Sequence, residues 1–494
     1  MNYYSTRDHQ QIVSAAQAIA CGLAPDGGLF VPESLPEVSA QQLQALCGMT
    51  YQQRAVTIMR PFLSEFTDAE LERFTAAAYG SQFDDPAVAP VHRLDDATAF
   101  LELWHGPTCA FKDMALQILP YLLTASLKKC GEQRQVCILV ATSGDTGKAA
   151  LDGFHDVSGT KIMVYYPVDG VSPMQKLQMA TQEGANVEVI AIHGNFDDAQ
   201  TGVKKMFNDK ELGKELADKG FQFSSANSIN IGRLVPQVVY YVYAYANLVK
   251  NGEIADGEKI NVTVPTGNFG NILAAYFAKQ MGVPIDKLIC ASNDNKVLYD
   301  FFKTGVYDKN RPFILTSSPS MDILISSNLE RLIYLSTGCD AEETKKRMEE
   351  LSKDGKYSVT DEMRARMADF VGGYADQAAN AAEIKRLYDE TGYMIDTHTG
   401  VASCVYHNYV KETGDTKKTV IASTASPYKF SRSVMEAIFG SEEGKGEFEL
   451  IDEMEKASGV KIPQAIEEIR KAEIRHNRQC KPEEMEKTVS EILQ

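Results

Sequence analysis

Four short segments carry side chains whose types and spacing could do chemistry. In His105-Gly106-Pro107-Thr108-Cys109-Ala110-Phe111-Lys112-Asp113, the lysine stands among Trp104, Phe111 and Met114. Apolar neighbours desolvate an amine and lower its pKa, the condition for a Schiff-base lysine; the alternative is an ordinary surface charge. Thr142-Ser143-Gly144-Asp145-Thr146-Gly147 places hydroxyls and glycines where amides and a helix dipole could hold a carboxylate or phosphate, although a capped turn uses the same residues. Pro265-Thr266-Gly267-Asn268-Phe269-Gly270-Asn271 could fold into a nest of N–H groups for a phosphate, or into a plain tight turn. Ile421-Ala422-Ser423-Thr424-Ala425-Ser426-Pro427 ends in hydroxyls, which alone is common turn chemistry. None of these is a G-x-G-x-x-G or Walker loop. Read jointly, a desolvated lysine, two anion loops and a hydroxyl cluster suit a phosphorylated cofactor that forms a Schiff base and holds an amino acid, a demand pyridoxal phosphate meets.

The elements that must position these residues are legible as a β-loop-α alternation starting near Gln133. Residues 136–140 read as a buried strand, followed by the 142–147 turn and a helix through Phe154. Residues 161–166 and 187–192 read as further strands, and 173–183 and 197–219 as helices. A second series has a strand over 260–264, a glycine turn and a helix to Met281, with strands over 287–291 and 419–422. The succession predicts an α/β fold of two doubly wound parallel-sheet units with right-handed crossovers. No lysine precedes Lys112, and 41–59 and 68–78 carry helical periodicity, so a small helical N-terminal domain is expected over 1–95. The large unit is placed at 96–132 and 225–430, with a helical insertion about 340–393. The small unit is placed at 133–224 and a charged helical segment at 431–494.

Composition excludes several functions. The 494 residues carry 67 Asp plus Glu against 50 Lys plus Arg, a net charge of −17, which repels polyphosphate and argues against nucleic acid. No apolar run approaches the roughly 20 residues a membrane helix needs. The first residues lack the basic and apolar regions of an export signal, so a cytoplasmic location is expected. Nine scattered cysteines without a C-x-x-C predict reduced thiols and no metal site.

Several motifs together resemble the threonine synthase family. They are Ser5-Thr6-Arg7, Gly22-Leu23-Ala24-Pro25-Asp26-Gly27-Gly28-Leu29-Phe30-Val31-Pro32, residues 105–113, residues 141–147, Ser225-Ala226-Asn227-Ser228-Ile229-Asn230 with Arg233, residues 264–271 and residues 423–430. The resemblance implies a tryptophan-synthase-β-like fold and a pyridoxal-phosphate enzyme converting O-phospho-L-homoserine and water into L-threonine and phosphate. It implies that Lys112 is the Schiff-base lysine and the proton-transfer base. Gly267, Asn268, Phe269 and Asn271 would cradle the cofactor phosphate, and Thr424 would face the pyridine nitrogen. Ser143, Asp145 and Thr146 would hold the substrate carboxylate, while Arg233, Ser228 and Asn230 would take the substrate phosphate. His105 is divided between the site and its support. Three departures stand out: Asp8-His9-Gln10 follows Arg7, Thr397-His398-Thr399-Gly400 lacks the family's usual Pro and Ala, and the wider fold usually carries Asn where Asp145 stands. A monomer or homodimer is expected, and the last 60 or so residues match no motif. Rival readings are a phospholyase releasing 2-oxobutyrate from the same substrate, and a non-catalytic metabolite-binding protein on the same fold.

Overall fold

Two parallel sheets carry the site loops at their carboxyl ends. The computed structural model describes residues 1–142, 144–169 and 171–493, apart from the side chains of Asp197 and Asn208. The larger sheet runs Phe370–Tyr374, Ile285–Ser292, Ile260–Pro265, Thr419–Ser423, Thr98–Glu102, Val91–Arg93. Its neighbours are parallel except the last pair, which is antiparallel. The smaller sheet runs Arg478–Cys480, Val187–Ile192, Thr160–Pro167, Gln135–Ala141, Phe221–Ser224, all parallel. Helices cover both faces of such sheets, so the central strands are apolar runs without alternation: every residue of Ile260–Pro265 and of Thr419–Ser423 is buried.

The longest helix, Ile231–Lys250, is apolar nearly all round and runs through the core, as its composition requires. Asn230 caps it by accepting from the Gly232 amide at 2.9 Å. Arg54, on the Tyr51–Met59 helix, joins this core to the N-terminal region. Its guanidinium donates to the Leu46 carbonyl (2.6 Å) and to Asn247 Oδ1 (2.8 Å), and lies over the Tyr243 ring.

The two α/β units and the six strands read from the sequence are present, but Val91–Arg93, Thr98–Glu102 and Phe221–Ser224 are strands the sequence reading does not predict, and several further details differ. The N-terminal region is not purely helical: Val13–Ser14, Asn2–Ser5 and Phe30–Pro32 form a small antiparallel sheet. Residues 41–59 are two helices, Ala40–Leu46 and Tyr51–Met59, because Ser39 and Thr50 each close a capping box. The helix expected over 197–219 is likewise broken into Phe196–Asn208 and Lys210–Asp218, where the Asp209 carboxylate accepts from the Glu211 and Leu212 amides. The stretch expected as a helical insertion supplies the edge strand Phe370–Tyr374. The charged C-terminal segment is not only helical, since Arg478–Cys480 completes the small sheet. Among the described residues no helix is long and apolar enough to cross a membrane.

Candidate active site

Lys112 follows the Thr98–Glu102 strand in a loop stitched to the neighbouring strand end. The Phe111 amide donates to the Thr424 carbonyl (2.8 Å) and the Ser426 amide to the Cys109 carbonyl (3.0 Å). Within the loop, the Thr108 amide and hydroxyl both donate to the Asp113 carboxylate at 2.8 and 2.7 Å. Only glycine fits at 106, where a Cβ would lie 2.6 Å from that carboxylate. Cys109 takes a left-handed φ of 58°, a strained conformation held by these bonds at a functional loop. The Lys112 side chain is buried, which lowers its pKa; Asp145 raises it, and the cations Lys429 and Arg233 lower it further.

Asp145, first residue of the Asp145–Phe154 helix, is the hub between the two sheets. One carboxylate oxygen, Oδ1, accepts from Lys429 Nζ (2.9 Å) and Gln175 Nε2 (2.9 Å). The other, Oδ2, accepts from Ser320 Oγ (2.8 Å) and, more distantly, Lys112 Nζ (3.5 Å). Burial opposes the charged carboxylate, but Lys429, Lys112 and His398 outweigh it and hold Asp145 well below the usual carboxylate range. Ser320 also accepts from Lys112 Nζ at 3.2 Å, and its amide donates to His398 Nε2 at 3.2 Å. That bond fixes the tautomer: His398 Nδ1 carries the proton and donates to Asp396 at 2.7 Å. Thr146 is half-buried in the same helix turn, and Ser143 lies outside the described residues.

The Pro265-to-Asn271 turn has the geometry of an anion nest. The Gly267 carbonyl accepts from Ser326 Oγ (2.7 Å), and the Asn268 carbonyl accepts from both the amide and the side chain of Asn328 at 3.0 Å. With these carbonyls tied back, the amides of residues 267–271 make no hydrogen bond among the described residues and open onto the helix N-terminus of Gly270–Gln280. Phe269 holds a φ of 67° there, anchored by ring packing against Phe302 and Phe370. Asn271 takes the hydroxyls of Tyr240 and Tyr241 on its oxygen, while its buried Nδ2 has no protein partner. That orphaned donor and the free amides fit a phosphate-bearing cofactor such as pyridoxal phosphate, with the Lys112 amine to receive its aldehyde.

Arg233 is buried, and no carboxylate pairs with it among the described residues. One guanidinium nitrogen donates to the Ala226 carbonyl (2.7 Å), Nε has no partner, and burial pulls the pKa down to about 10. Of its sequence neighbours, Ser228 is half-buried and accepts from the Asn328 amide (3.3 Å). The Asn230 side chain is committed to the structure: besides its capping bond it donates to the Ile19 carbonyl at 3.0 Å. Thr424 is buried at the end of the Thr419–Ser423 strand, its amide 3.4 Å from the Thr399 hydroxyl.

Two further residues prove to be supports. His105 bridges Asp84 (2.6 Å) and Glu102 (2.9 Å); burial opposes its charge, yet the two carboxylates push its pKa up to about 9. Arg7 grips Glu330 through two bonds of 2.8 and 2.7 Å, which joins the N-terminal sheet to the Leu329–Ser336 helix. Sequence reasoning missed Gln175, Ser320 and Lys429. Lys429 stood in a motif already singled out, and Ser320 in the hydroxyl-rich run 316–320, but nothing local ties either to Asp145.

Comparison with known proteins points to the same cofactor class. Residues 2–79 match the family model for the threonine synthase N terminus, and residues 88–425 match that for pyridoxal-phosphate dependent enzymes. The threonine synthase of Saccharomyces cerevisiae is 36% identical over 488 residues, covering 93% of each chain. Human threonine synthase-like 1 is 40% identical over 446 residues, covering 87% of this chain; the chain spans only 59% of that longer relative. The crystal structure of pyridoxal-phosphate-bound threonine synthase from Brucella melitensis superposes with a TM-score of 0.88 at 36% identity, covering 100% of this chain and 98% of that one. The chain therefore belongs to the threonine synthase family of pyridoxal-phosphate-dependent enzymes.

Proposed function

We propose that this chain converts O-phospho-L-homoserine and water into L-threonine and phosphate. The observation that carries the substrate reading is Arg233: a buried guanidinium with no carboxylate partner among the described residues, close enough to Lys112 to depress its pKa. A buried, uncompensated cation is costly unless a ligand supplies the counter-charge, and a planar guanidinium suits a phosphate. Ser228, on the segment beside it, offers a hydroxyl to the same group; Asn230 acts there through the backbone it caps.

Bound pyridoxal phosphate supplies an aldehyde for Lys112 and an electron sink for charge developing at the substrate Cα. The amides of Gly267, Asn268 and Phe269, with Asn271 Nδ2, would hold its phosphate, and Thr424 would supply a hydroxyl to its ring nitrogen. The Lys112 amine, its pKa lowered by burial and by neighbouring cations, takes the proton from Cα and, as the γ-phosphate departs, the one from Cβ; it returns a proton at Cγ, and after water adds at Cβ a proton goes back to Cα to give threonine. One mobile amine can serve all three carbons because they are consecutive in one bound substrate. Asp145 and Thr146 open the helix whose N-terminus would receive the substrate carboxylate, a role the sequence also assigns to Ser143, outside the described residues. We place this chemistry in the cytoplasm, in a monomer or homodimer; the nine free thiols suit a reducing compartment.

The test is product analysis with purified protein and O-phospho-L-homoserine. Threonine and phosphate in equal amounts are expected, with turnover abolished by Lys112→Ala. Arg233→Met should raise KM by about 10- to 100-fold, the loss of a charge-assisted contact. Mainly 2-oxobutyrate would replace this reading with the phospholyase one, and protein without cofactor absorbance would sink both.

A further inference from the structure

Lys429 is the most deeply buried cation of the site. Its side chain is 0% exposed, and its amine is held at 2.9 Å from both Asp145 Oδ1 and the Thr108 carbonyl. It reaches Asp145 from the turn Pro427–Phe430, opposite the oxygen that Lys112 approaches. Two lysine amines thus compete for one carboxylate, and the shorter contact belongs to Lys429. Its second tether, to Thr108, belongs to the loop that carries Lys112, so its position and that of the base are set by the same stretch of backbone.

We propose that Lys429 is a positioning residue that fixes the proton state of Lys112. By satisfying the Asp145 charge from the far side, it leaves the Lys112 amine without a carboxylate of its own and therefore uncharged when it must accept a proton. This rests on the reading of Lys112 as cofactor lysine and base, and deepens it. It also accounts for a carboxylate at 145, where the wider fold usually has an amide: with Lys429 attached, the pair presents no net charge to the cofactor side.

The groups facing this cluster are few. Arg233 from the Ile231–Lys250 helix adds a second cation toward Lys112, and His398 from the Thr397–Thr413 helix faces Asp145, itself backed by Asp396. Asp113, which also feels Lys429, is pushed up to about 7 by burial and by Asp152. Asp145 is therefore the anion that both lysines touch directly, and removal of Lys429 transfers it to Lys112. An opposite charge at that distance raises an amine's pKa by about one to three units.

The experiment is a pH titration of the visible absorbance of the resting holoenzyme, which reports protonation of the nitrogen Lys112 contributes, alongside the pH profile of kcat. Lys429→Met is expected to move both the absorbance midpoint and the acid limb of kcat upward by about one unit or more, and Lys429→Arg to restore them. Asp145→Asn, which leaves Lys429 in place without its anion, is expected to move the midpoint downward. This second arm decides the matter if Lys429→Met does not fold. Lowered activity with an unshifted absorbance midpoint in the folded variants would overturn the proposal and leave Lys429 a purely structural ion pair. Absence of the absorbance in the unmodified protein would instead refute the cofactor reading itself.

Discussion

His105 offers a pH prediction with its reporter built in. Burial disfavours the imidazolium, but Asp84 at 2.6 Å and Glu102 at 2.9 Å raise its pKa from 6.5 to about 9, and the side chain is 12% exposed. A raised pKa means that the charged form stabilises the fold. The contribution is complete below the unfolded value of 6.5 and disappears as pH climbs through 9. The full difference corresponds to about 3 kcal/mol, of which about 2 kcal/mol remains at pH 7.5 and almost none at pH 9.5. Solvent around the half-exposed Asp84 trims these figures. The protein has one tryptophan, Trp104, and its ring stacks on His105 with centroids 4.2 Å apart. Imidazolium quenches indole more than imidazole does, so Trp104 emission should rise with a midpoint near pH 9. In denaturant unfolding followed at a separate probe, the deficit of His105→Gln relative to the unmodified protein should shrink by about 2 kcal/mol between pH 7.5 and 9.5. A Trp104 transition near pH 6.5, or a deficit independent of pH, would refute the reasoning.

Three other outcomes follow from the packing. Gly267→Ala would place a Cβ 2.6 Å from the Ser320 carbonyl oxygen, which is backbone and cannot swing aside; cofactor affinity should fall about tenfold or more in a binding titration, while the melting temperature changes little. Removing residues 474–494 strips the Arg478–Cys480 strand from the small sheet and exposes what Met485, Val489 and Leu493 cover, at a cost of about 5 kcal/mol, so the truncated chain should aggregate on expression. Arg54→Met leaves the Leu46 carbonyl and Asn247 without their donor and should destabilise by about 2–4 kcal/mol in denaturant unfolding, with Arg54→Lys recovering only part of it.

What the sequence reveals of the fold divides along a physical line. Ile260–Pro265, Thr419–Ser423 and Gln135–Ala141 are legible because strands buried on both faces need continuous apolar or β-branched residues. Phe370–Tyr374 hides for the opposite reason: Gly372 and Gly373 lower its strand propensity, yet a Cβ at 373 would strike Val405 and one at 372 would meet the Tyr299 backbone at 3.2 Å. Close helix packing, a tertiary demand, selects residues that local propensity disfavours. Arg478–Cys480 is hidden because two polar residues and a cysteine become a strand only through the edge that Val187–Ile192 presents. The site follows the same rule. Lys112 and the glycine turns carry their chemistry in local spacing, but Ser320 and Lys429 acquire theirs only when the fold brings them to Asp145, 175 residues away from the former in sequence.

The acidic balance of the chain is consistent with a site for anions once distance is considered. A net charge of −17 is spread largely over solvated side chains, and salt screens such charges over about 8 Å at physiological ionic strength. Within the cleft the order is reversed. The buried cations Lys429 and Arg233 both act on Lys112, Asp145 is the carboxylate the two lysines touch, and the 267–271 amides and the start of the Gly270–Gln280 helix add partial positive charge. Those groups are shielded from water, so their interactions are stronger per contact than anything on the surface. With Lys429 paired to Asp145, the buried Arg233 is left without a counter-charge among the described residues, a destabilising arrangement that the anions the site is proposed to take would relieve. A polyanion too large for the cleft would meet only the acidic exterior, so this charge distribution suits a small anion, such as the phosphorylated amino acid proposed above, better than a polymer.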